Sequence, residues 1–63
     1  MDAGKTGAYL AALRKARGMT QQEAADQLGV SNKTVSKWEN GAGLPDITVL
    51  PALAELYLSL IHI

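Results

Sequence analysis

Apolar residues recur at helical spacing in four stretches of this chain, the first three each ended by a glycine. The first predicts a helix over residues 7–17. Tyr9, Leu13 and Ala16 form its packing edge with Leu10 alongside, several alanines add helix propensity, Thr6 is placed to cap it and Gly18 to end it. In the second, residues 21–28, Ala24, Ala25 and Leu28 fall on one side, and Gln22, Glu23, Asp26 and Gln27 on the other. Thr20 and Glu23 have capping-box spacing, and Gly29 is the natural stop, since a left-handed residue there costs glycine no side-chain clash. After apolar Val30, Ser31 caps a third helix over 32–40, which Asn40-Gly41 closes. Ile47, Leu50, Leu53, Ala54 and Tyr57 predict a fourth over about 47–57, opposite Thr48, Glu55 and Ser59. Asp46 offers that helix a cap. Pro51 is tolerated only in a first turn, so the helix starts nearer Thr48 or begins irregularly.

The third helix has a polar face that core packing does not explain. Val35 and Trp38 make its apolar edge, while Asn32, Lys33, Ser36 and Lys37 cluster opposite, within about 140° of arc. That face holds an amide, two cations and a hydroxyl, and no acid. Such groups suit base edges and phosphates in a DNA major groove. A lone lysine pair would be an ordinary solvated face; here it sits on the second helix of a capped helix-turn-helix.

Composition sets bounds on this picture. Sixty-three residues make one domain near the lower limit for a self-supporting core. With no cysteine there is neither a disulfide nor a thiolate metal site, and His62 has no second histidine to ligate beside, so no metal and no cofactor are expected. No nucleophile has a placed base and no acids cluster, so an enzyme is not expected. Gly4-Lys5-Thr6 is similar to the end of a phosphate-binding loop, but the loop's first glycine and preceding strand are missing. The N-terminus lacks a signal-peptide core and no stretch approaches the roughly 20 apolar residues of a membrane span; the expected location is cytoplasmic. Net charge is zero, which argues mildly against a nucleic-acid binder. Its distribution softens that objection: residues 1–37 carry a net of +3, with all six Lys and Arg against Asp2, Glu23 and Asp26, and residues 38–63 a net of −3. A neutral monomer should bind weakly, so affinity calls for a second copy.

Residues 5–57 resemble the phage-repressor-like helix-turn-helix family, also called the xenobiotic-response-element family. The resemblance rests on small Ala25 where two helices cross, Gly29 at the turn, apolar Leu28, Val30, Val35 and Trp38, and the ending Ser-Lys-Trp-Glu-Asn-Gly at residues 36–41. It implies an all-α, compact four- to five-helix lambda-repressor-like DNA-binding domain. It also implies a sequence-specific transcriptional regulator, more commonly a repressor, that places helix 32–40 in the major groove. By this resemblance Asn32, Lys33 and Lys37 read bases, with Ser36 a weaker candidate, and Gln21 holds a phosphate through its side chain or terminal amide. Ser31, Thr34 and Asn40 are further backbone candidates. Arg14 and Glu39 form an ion pair fastening the first helix to the third, either partly buried and structural, which is favoured, or exposed and worth little. Arg17 and Lys15 either meet phosphates or solubilise their helix. The loop Ala42-Gly43-Leu44-Pro45 passes close to the DNA backbone. The partner implied is double-stranded DNA with a palindromic operator, bound by a homodimer.

The last six residues depart from the family pattern. Leu58 stands where a glycine usually precedes a short fifth helix, and residues 58–63 form an apolar tail, expected to be truncated or artefactual. With no stop signal, the fourth helix would run on and put Leu60 and Ile61 on its stripe. Two alternatives stay open: a protein-interaction module such as an antitoxin, and the DNA-binding fragment of a larger regulator.

Overall fold

A computed structural model describes residues 2–58. Among them are four helices and no strand: α1 (Ala3–Ala16), α2 (Gln21–Leu28), α3 (Asn32–Glu39) and α4 (Leu50–Leu58). The domain is all-α and of the small lambda-repressor-like kind. Helix α3 lies against both α1 and α2, and α4 closes the other side of the same core. Ala24, Ala25, Val35, Trp38, Leu53 and Tyr57 are buried at its centre, and Leu10, Leu13, Met19, Leu28, Val30, Val49 and Leu56 pack around them. The two alanines are fully buried. Their small side chains let the backbones of α2 and α3 come close where the helices cross.

The α2–turn–α3 unit is fixed at each junction by local bonds. Thr20 Oγ1 accepts from the Glu23 N–H at 3.1 Å and Glu23 Oε1 accepts from the Thr20 N–H at 2.9 Å, a closed capping box. Gly29 takes φ +72° after α2, and the Val30 N–H returns to the Ala25 carbonyl at 3.0 Å. A Cβ on Gly29 would meet nothing within 4 Å, so the requirement there is backbone conformation alone. At the end of α3, Gly41 has φ +75° and a Cβ would also lie 3.0 Å from the Gly4 Cα. That glycine is held by both conformation and space.

Three expectations need correcting. Helix α1 starts a turn earlier than residue 7: Asp2 is its cap, accepting from the Lys5 N–H at 3.1 Å, and Thr6 lies inside the helix. Of its expected packing edge, Leu13 and neighbouring Leu10 do pack against the core, but Tyr9 is 59% exposed and Ala16 is exposed. Gly7 and Arg14, not expected on a packing face, turn toward α3. The cause is a contact between helices: a Cβ on Gly7 would come within 2.2 Å of the Trp38 carbonyl oxygen, so only glycine permits this approach. Helix α4 begins at Leu50, not near 47, leaving Ile47 in a turn and 77% exposed. Pro51 has no N–H to offer the Ile47 carbonyl, which accepts from the Leu50 N–H at 3.4 Å in a tighter turn. Leu58 is the last residue of α4. The expectations for Leu60, Ile61 and His62, and for the tail beyond Leu58, lie outside the described residues.

Candidate nucleic-acid interface

Helix α3 presents the polar face that its sequence spacing predicts. Lys33 and Lys37 are exposed, Asn32 and Ser36 half-buried, while Val35 and Trp38 point into the core. Ser31 starts the helix, its Oγ accepting from the Thr34 N–H at 3.2 Å and lying 2.9 Å from Thr34 Oγ1. Ser36 Oγ accepts from Asn40 Nδ2 at 3.3 Å. Ser31 with Thr34, and Ser36 with Asn40, are thus two local pairs along α3. Lys37 runs along the following loop: a Cβ on Gly43 would meet its Cε at 3.5 Å. Its stem thus lies alongside Gly43.

Under this face lies a buried ion pair. Arg14 Nε donates to Glu39 Oε2 at 2.7 Å and Nη2 to Oε1 at 2.9 Å, a two-pronged bridge from α1 to α3. Arg14 Nη1 donates to the Met19 carbonyl at 2.8 Å, tying in the chain just before α2. Gln21 Nε2 donates to Glu39 Oε1 at 3.0 Å. Burial pushes the Glu39 carboxyl up, but the hydrogen bonds from Arg14 and Gln21 and the charges of Arg14 and Lys15 outweigh it, leaving it below the usual value. The bridge from Glu39 correspondingly holds Arg14 above its ordinary value despite burial. One carboxylate therefore fastens α1, α2 and α3 together.

Sequence reasoning missed several of these roles. Gln21, expected at a phosphate through its side chain or terminal amide, also gives one side-chain N–H to Glu39, and its second side-chain N–H and its backbone N–H at the start of α2 remain for that task. Arg17, left undecided between phosphate and solvent, donates from Nε and Nη2 to the Tyr57 carbonyl at 3.2 and 2.9 Å, capping the last turn of α4. Gly7 carried no sequence signal of close packing. Gln22, read only as a solvated position, accepts from Asn32 Nδ2 at 3.3 Å and donates to Asp26 Oδ1 at 2.9 Å. Among the described residues no group of His, Cys, Asp and Glu could hold a metal, and no helix is long and apolar enough to cross a membrane.

A small helical domain that props one exposed cationic helix on a capped two-helix turn is a helix-turn-helix domain. The chain matches the helix-turn-helix family profile over residues 10–57 and belongs to the phage-repressor-like branch of that family. It is 38% identical over 45 residues to the HTH-type transcriptional activator BcrR of Enterococcus faecalis, a match covering 71% of this chain and 22% of that protein. It is 41% identical over 46 residues to the cryptic phage CTXphi transcriptional repressor RstR of Vibrio cholerae serotype O1, covering 73% of this chain and 41% of the relative. The chain thus corresponds to less than half the length of either protein.

Proposed function

We propose that this chain is the DNA-binding domain of a transcriptional regulator, acting as a repressor by occupying its site. Helix α3 enters the major groove of double-stranded DNA, and two copies sit on a palindromic operator about one helical turn apart. One observation carries this reading: the exposed cationic face of α3, anchored from beneath by the Arg14–Glu39 bridge. Asn32, Lys33 and Lys37 read bases with Ser36 in support, while Ser31, Thr34, Asn40 and Gln21, through its side chain or its backbone N–H, face the phosphates. The names of the two relatives place one activator and one repressor in this family, so the family alone does not fix the sign. Repression is the simpler proposal, since blocking a promoter needs no surface beyond the one that binds it.

The test is selection of bound sequences from random duplexes, beside a Lys33→Ala/Lys37→Ala variant. The expected result is a palindromic motif that the variant loses. A specific observation supports a second reading, a protein-interaction module such as an antitoxin. An apolar groove of about 290 Å³ runs between α1 and α4, lined by Tyr9, Leu10, Leu13, Leu50, Tyr57 and Leu58 among others. In that case the selection enriches nothing and the double variant behaves as the wild type.

A further inference from the structure

We infer that Asp26 and Gln22, neither assigned a part in DNA reading above, fix which way round the Asn32 amide faces a base, and so set its preference for adenine over guanine. The inference rests on the DNA-binding reading and adds specificity to it. Asp26 is a puzzle otherwise, being an exposed acid on the same helix turn-unit that approaches a polyanion. Three side chains form a series across the α2–α3 junction: Asp26 Oδ1 accepts from Gln22 Nε2 at 2.9 Å, and Gln22 Oε1 accepts from Asn32 Nδ2 at 3.3 Å.

The polarity of this series has one source. An ionised carboxylate can only accept, so Gln22 must turn its NH2 toward Asp26. Its carbonyl oxygen then points to α3, and Asn32 must meet that oxygen with its own NH2. What Asn32 has left for a base is its Oδ1 acceptor and its second N–H. Adenine offers the complementary pair in the major groove, the N6 donor and the N7 acceptor, whereas guanine offers two acceptors, O6 and N7. With its amide turned the other way, Asn32 would present its NH2 outward and lose the discrimination. In water such exposed amide bonds are worth little, but once DNA covers them a wrongly turned amide is left buried and unmatched. Asp26 is thus a positioning residue acting through Gln22, at the expense of some repulsion from phosphate.

The experiment starts from the motif selected by the wild type and measures binding to duplexes carrying each of the four bases at every position, for wild type, Asn32→Ala, Asp26→Asn and Asp26→Lys. Thermal melts check that these surface variants remain folded. One position should prefer adenine to guanine by roughly fivefold or more in the wild type and lose that preference in Asn32→Ala. Asp26→Asn, which can accept or donate, should reduce the preference at that position alone to less than about twofold, while binding overall tightens through lost repulsion. Asp26→Lys, a donor only, reverses the series and should move the preference toward guanine. If Asn32→Ala abolishes the preference and both Asp26 variants retain it, the inference is overturned and the DNA-binding reading stands. If the wild type selects no motif, or Asn32→Ala changes no position, the inference falls together with the role given to Asn32.

Discussion

Removing Glu39 alone should cost this domain most of its stability. In the folded chain the Arg14 side chain is 11% exposed and the Glu39 side chain 5%, so neither charge is much hydrated. Glu39→Ala takes away two of the three hydrogen bonds from Arg14, those made by Nε and Nη2, leaving only the Nη1 bond to the Met19 carbonyl. It also deprives the Gln21 amide of its acceptor. Stranding a buried charge in this way costs about 3–5 kcal/mol. A 63-residue domain has on the order of 3–9 kcal/mol in total. Arg14→Met paired with Glu39→Leu removes both charges and keeps the volume, and should cost less than about 1.5 kcal/mol, or even stabilise. Urea unfolding followed by circular dichroism at pH 7 gives both numbers. The reasoning is refuted if Glu39→Ala loses under 1 kcal/mol, or if the double variant is as unstable as the single one.

The same carboxylate gives a pH dependence. Because Glu39 is held below its usual value of 4.5, its contribution is present in full above that value and is lost as pH falls through the folded pKa. Melting temperature should therefore drop in acid, and Glu39→Gln should flatten that drop while lowering stability at neutral pH. Gly7→Ala drives a methyl into the Trp38 carbonyl and should destabilise by about 2 kcal/mol or more, against roughly 1–2 for Gly29→Ala, where only the left-handed backbone resists; parallel denaturant melts compare them. Arg17→Ala uncovers the Tyr57 carbonyl and should cost about 1 kcal/mol, with amide exchange quickening first in the last turn of α4.

What could be read in the sequence was whatever local chemistry determines. The Thr20–Glu23 capping box, Gly29 and Ser31 delimit α2 and α3 through contacts between near neighbours, and the structure has these same bonds. The rotation of α1 was not legible, because a close approach between Gly7 and the end of α3 fixes it across some thirty residues of sequence. The beginning of α4 was only half legible: Pro51 signals a disturbed first turn, but the spacing of Ile47 continues the apolar stripe as if no disturbance existed. Arg17 and Gln21 illustrate a different limit. Long polar side chains at helix ends can reach solvent, phosphate or a carbonyl of another helix, and only the packing of α4 and α3 decides for these two. Asp26 and Gln22 have no sequence signal beyond i, i+4 spacing; their importance comes from where α2 places Gln22 relative to Asn32.

The most direct test of the account needs no known operator. Non-specific DNA binding is typically about 1–100 micromolar at physiological salt and tightens as salt is lowered, within range of an NMR titration of the labelled chain with a random-sequence duplex. Shifts should concentrate in the amides of residues 31–37 and at Gln21 and Gln22, fading as salt rises. No shift at low salt, or shifts confined to Tyr9, Leu50 and Leu58 around the apolar groove, would contradict the DNA-binding reading.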